Sequence, residues 1–72
     1  MQQGEIKKFN SLKGFGFISD NESGKEHFFH IKNCVGYNPQ NRGAHLVSEG
    51  SQVEFELQDN PKGAEAINVI QI

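Results

Sequence analysis

Seventy-two residues leave room for one domain, and a single cysteine, Cys34, cannot close an internal disulfide. Seven basic against nine acidic residues give a net charge of −2, which excludes an ordinary basic duplex-DNA binder that works by charge alone. No apolar run reaches the length of a membrane span and the Met1-Gln2-Gln3 start is not a signal peptide, so a cytoplasmic address and no membrane partner are expected. A chain this short buries only about 60% of its unfolded surface, so its core is thin.

Glycine, proline and asparagine punctuate the chain near positions 10, 21–24, 33–43, 48–50 and 60–63. Five short segments lie between these breaks, at roughly 4–10, 14–20, 26–32, 51–58 and 64–71, and none carries a sustained helical stripe. The first holds Lys7 and Lys8; with Lys13 they face Glu5 as the one acid in the first thirteen residues. The second contains Lys13-Gly14-Phe15-Gly16-Phe17-Ile18, and the third contains Phe28-Phe29-His30. A long polar connection, 33–50, follows; loops of that length are usually functional or disordered. The fourth segment alternates Val53, Phe55 and Leu57 against Glu54, Glu56 and Gln58, and the fifth runs to the chain's end. Five short strands predict an all-β sandwich or barrel, and at this length a barrel closes its edges better.

Period-two geometry sorts the aromatics. Phe15 and Phe17 share one face, while Gly14, Gly16 and Ile18 share the other. Placing both phenylalanines inside would leave two glycines and an isoleucine facing water, whereas inward glycines permit the close backbone approach of a small barrel. Adjacent Phe28 and Phe29 must point to opposite faces; Phe29 goes inward with Ile31, and Phe28 outward with His30. The outward set Phe15, Phe17, Phe28 and His30 is an aromatic platform rimmed by Lys7, Lys8 and Lys13. Unpaired bases stack on such platforms for about 1–3 kcal/mol each, which allows an acidic protein to bind nucleic acid.

The runs Gly4-Glu5-Ile6-Lys7-Lys8-Phe9-Asn10, Lys13–Ile18 and Phe28-Phe29-His30 together resemble the cold-shock domain family. Lys13–Ile18 and His27–Ile31 stand where that family carries its two ribonucleoprotein motifs. Leu46, Glu49-Gly50, Val53, Phe55 and Ala66-Ile67-Asn68-Val69 also fit. The resemblance implies a five-stranded antiparallel OB-type β-barrel over residues 1–72, with a long loop between strands 3 and 4. It also implies binding of single-stranded RNA or DNA with low sequence specificity, as an RNA chaperone or expression regulator. Five departures from the family pattern stand out. Lys8 replaces a usual exposed tryptophan, Ile31 an aromatic, and His27 an apolar inward residue. Ala64-Glu65 opens the last strand, and the long loop adds Tyr37, Pro39 and Arg42. Tyr37 either supplies a missing stacking ring or packs as a lid on the barrel end.

Other chemistry is weaker. His27, His30, Cys34 and His45 are zinc-ligand types, but His27 and His30 face opposite sides of a strand and the spacing matches no closed site. Asp20, Glu22 and Glu26 lie at or beside a turn, where solvated carboxylates are expected. No nucleophile–base spacing or phosphate loop supports an enzyme, and no metal or cofactor is expected. The expected form is a monomer. The alternative function is a protein-interaction module using the same apolar face.

Overall fold

Most strand ends fall at the turn residues, at Asn10, Gly14, Asp20-Asn21, Asn60 and Gly63. The computed structural model describes residues 1–38, 40, 47–61 and 63–72. It contains β1 (Gln2–Asn10), β2 (Phe15–Asp20), β3 (Glu26–His30), β4 (Gln52–Asn60) and β5 (Gly63–Gln71). The strands close into a barrel in the order β1-β2-β3-β5-β4. Four seams are antiparallel, as expected, but β3 and β5 run parallel and pair at Phe28 and Glu65. A ring of five strands cannot alternate direction throughout, so one seam has to be parallel; it falls between β3 and β5, because β4 returns to pair with β1 and β5 closes the ring against β3. The third strand is shorter than the 26–32 expected. Its chain turns into a 3-10 turn at Ile31–Asn33, and His30 caps that turn by accepting the Lys32 N–H at Nδ1, 3.2 Å away.

The core is built from Ile6, Ile18, Phe29, Ile31, Val47, Val53, Phe55, Ala66 and Val69, with Cys34 among them. Burying a side chain the size of Phe29 or Phe55 contributes about 1.5–3 kcal/mol. Burial pushes the Cys34 thiol up to about 11, so it is an inert apolar group here. Two bulges set the strand faces. On β1 the register steps between Ile6 and Lys8. Lys7 is the extra residue, which lets Ile6 and Phe9 both turn inward while Lys7 and Lys8 both stay outside. On β5 the step opposite Phe55 lets Ala66 and Val69 both turn inward, and Asn68 takes the left-handed backbone (φ 51°) that the bulge needs.

At Gly16 the barrel wall leaves no room for a side chain. A Cβ there would collide with the Lys8 carbonyl oxygen and lie 2.9 Å from Cε1 of Phe29. The inward glycine is therefore what lets β1 and the Phe29 ring close onto β2.

Asp20, expected to be solvated, is instead buried, with 4% of its surface exposed. It closes the β2–β3 turn: its Oδ1 accepts the N–H groups of Glu22 (2.8 Å) and Ser23 (3.3 Å), and its Oδ2 accepts Gln2 Nε2 (2.7 Å). The Glu22 N–H, above all, holds this carboxyl below the usual aspartate range. His27 points inward beside it, with Nε2 3.7 Å from Asp20 Oδ2 and its ring against Phe55. Pro39, Arg42, His45 and Leu46 lie outside the described residues.

Candidate nucleic-acid interface

The β1–β2–β3 wall carries the aromatic residues on its outer surface. Cross-strand pairing sets Phe15 opposite His30, Phe17 opposite Phe28 and Lys8 opposite Phe17. Because directly paired residues share a face, this register alone gathers Lys8, Phe15, Phe17, Phe28 and His30. Phe28 is the hub. Its ring stacks on Phe15 at 5.8 Å between centroids and meets Phe17 edge-on at 6.0 Å. Phe28 is 38% exposed, whereas Phe15 and Phe17 are half-buried, flanked by their neighbours yet open on the outer side. Three adjoining rings outside the core form an apolar surface that a folded monomer gains nothing by exposing.

His30 is half-buried at the end of this row. Its Nδ1 accepts the Lys32 N–H, so the neutral ring carries its proton on Nε2 and the ring plane is held in place. Lys13 sits on the β1–β2 turn, where Asn10 Oδ1 accepts the N–H groups of Leu12 (3.0 Å) and Lys13 (3.1 Å). Gly14 then takes the left-handed conformation (φ 74°) that returns the chain into β2. Lys7 is exposed and pairs with Glu5 at 3.8 Å. Among the described residues neither Lys8 nor Lys13 makes an ion pair, so both cations are available.

Three concavities open around the row. One is lined by Lys8, Phe9, Asn10, Phe15, Phe17 and Glu49. The second runs from Leu12 and Lys13 to His30 and Tyr37. The third lies beyond Phe28, against Gly63, Ala64 and Glu65. Tyr37 is half-buried and packs on the core, as the lid reading expects, and it also lines the second concavity. Pattern in the sequence does not point to several residues of these walls, among them Glu49, whose Oε2 accepts the Phe9 N–H at 3.0 Å, the 94% exposed Leu12, and Glu65. Glu49 and Glu65 reach the site from β4-side and β5-side chain, which no local pattern connects to an aromatic motif. His27 and Cys34 stay inside, away from this surface.

The family model of the "'Cold-shock' DNA-binding domain" matches residues 2–72. The chain belongs to the cold-shock domain family. Cold-shock domain proteins bind nucleic acids, and the outer aromatic row of this chain lies on β2 and β3. Curated relatives include the "Cold shock-like protein CspC" of Escherichia coli (strain K12), 41% identical over 70 residues, with 97% of this chain and 94% of the relative covered. Over the same coverage, the protein of the same name from Buchnera aphidicola subsp. Acyrthosiphon pisum (strain APS) is 40% identical, and that organism's "Cold shock-like protein CspE" is 39% identical. Among solved structures, "drosophila Unr CSD456" superposes with a TM-score of 0.74 at 22% identity. That match covers 99% of this chain and 26% of the longer one, and it bears on the OB-type barrel alone. No helix among the described residues is long and apolar enough to cross a membrane.

Proposed function

We propose that this chain binds single-stranded RNA or DNA by stacking unpaired bases on Phe15, Phe17 and Phe28. His30 and Tyr37 extend the surface, and Lys7, Lys8 and Lys13 meet the phosphates. The observation that carries this reading is the outward triplet of rings, in which Phe28, exposed at the centre, touches both Phe15 and Phe17, with Lys8 and Lys13, which make no ion pair among the described residues, at its rim. Every base has a π-face, so the contact tolerates sequence, and with few cations most of the affinity comes from stacking. Duplex bases hide their faces, so the same surface discriminates strongly against paired strands.

That preference makes the chain an RNA chaperone or a regulator of expression. A ligand that binds only the unpaired strand shifts a hairpin equilibrium toward the open form by mass action. The role is binding alone, without catalysis or cofactor, in the cytoplasm and as a monomer.

Alanine at Phe28 tests the reading. It is expected to weaken binding to a short oligothymidine by about 1–3 kcal/mol while the amide spectrum of the fold persists. Unchanged affinity in a folded Phe28→Ala variant contradicts it.

A further inference from the structure

Beyond Phe28, away from Phe15 and Phe17, the parallel seam leaves a concavity of about 400 Å³ whose walls include Phe28, Ala64 and Glu65. Phe28 and Glu65 are direct partners across that seam, so ring and carboxylate share one side of the sheet. Glu65 is half-buried and fixed: Asn33 Nδ2 donates to its Oε2 at 3.1 Å and also holds the Ala66 carbonyl at 3.2 Å. Among the described residues no cation pairs with Glu65, and no hydrogen bond is made to its other oxygen. A base stacked on Phe28 has rings on one flank and this acceptor-only carboxylate on the other.

We infer that Glu65 reads the Watson–Crick edge of the base on Phe28 and selects guanine; this rests on the stacking function proposed above. An ionised carboxylate offers acceptors only. Guanine presents two adjacent donors, N1–H and N2–H, and matches it with two parallel hydrogen bonds. Thymine and uracil present one donor between two carbonyl oxygens, which the carboxylate repels. Adenine and cytosine each present one amino donor beside an acceptor nitrogen. One seat on an otherwise sequence-tolerant platform therefore carries a base preference, as single-stranded recognition through base edges allows.

The test places one guanine at each position in turn of an oligothymidine heptamer and measures affinity by fluorescence anisotropy. At one position guanine should bind about 5-fold or more tighter than thymine, and inosine, which lacks the N2 amino group, should lose most of that gain. Glu65→Gln should reverse the preference, because an amide offers one acceptor and one donor, the complement of thymine N3–H and O4. Guanine and thymine bound equally at every position, inosine bound as well as guanine, or a ratio unaltered by Glu65→Gln each overturns the inference. The inosine comparison uses the parent chain and holds whatever the variant's fold does. Phe28→Ala separates the two levels. If it weakens all oligomers while the parent shows no base preference, stacking stands and the Glu65 role falls; if it weakens none, both fall.

Discussion

Lys7 and Lys8 are neighbours on one strand, yet both are exposed, and strict alternation cannot produce that. The bulge between Ile6 and Lys8 does, and it aims Lys8 at Phe17. Period-two reading therefore finds Phe15, Phe17, Phe28 and Phe29 correctly, because β2 and β3 pair without a slip, but it cannot foresee that Ile6 and Phe9, or Ala66 and Val69, both turn inward. Lys8 leaves the platform one ring short. Lys8→Trp is expected to tighten oligothymidine binding by about 1 kcal/mol or more, measured by titration, with little effect on folding. Tyr37 lines the concavity of Lys13 and His30 while Lys8 lines that of Phe15 and Phe17, which favours two separate places on the surface. Lys8→Trp and Tyr37→Ala should then be additive in the double mutant; coupling between them would show that they compete for one base. Gly16→Ala should cost the fold about 1–3 kcal/mol in denaturant unfolding, because the methyl group has no room between the Lys8 carbonyl and Phe29.

At the level of strands and turns, the β2–β3 connection depends on Asp20. Glycine and asparagine mark this turn in the sequence, but the burial of its carboxylate was not legible, because the Gln2 donor comes from the far end of β1. The Glu22 and Ser23 N–H groups and the Gln2 amide all favour the charged form. A carboxyl held below its ordinary value stabilises the fold at pH above that value, and the contribution is lost as pH falls through the lowered one. Asp20→Asn should accordingly lower Tm at neutral pH, and the gap from the parent should narrow as the pH drops below about 4. A gap that stays constant down to pH 2 would assign the stabilisation to shape instead of charge. The end of β3 shows a similar limit. The 3-10 turn at Ile31–Asn33 is too short to leave a periodic signature, and its cap is a histidine side chain that pattern reading assigns to the platform.

For the molecule as a whole, the charge of −2 and the aromatic surface make one prediction together. Contacts from Lys7, Lys8 and Lys13 to two or three phosphates give a slope of log affinity against log salt of about −1.4 to −2.1, at −0.7 per contact on a single strand. A basic groove binder would be several times steeper. The five-stranded barrel was legible because turn residues separate five apolar segments and β2, β3 and β4 alternate inward and outward residues; its parallel seam follows from ring closure, which no single segment encodes. The same closure brings β5 beside Phe28 and so completes the surface. The most direct measurement is an NMR titration of the parent chain with a short oligothymidine, following the ring protons of Phe15, Phe17, Phe28 and His30. Stacking predicts saturable shifts on all four rings, while the buried rings of Phe29 and Phe55 stay still. Shifts confined to other surfaces, or none at saturating strand, would contradict it.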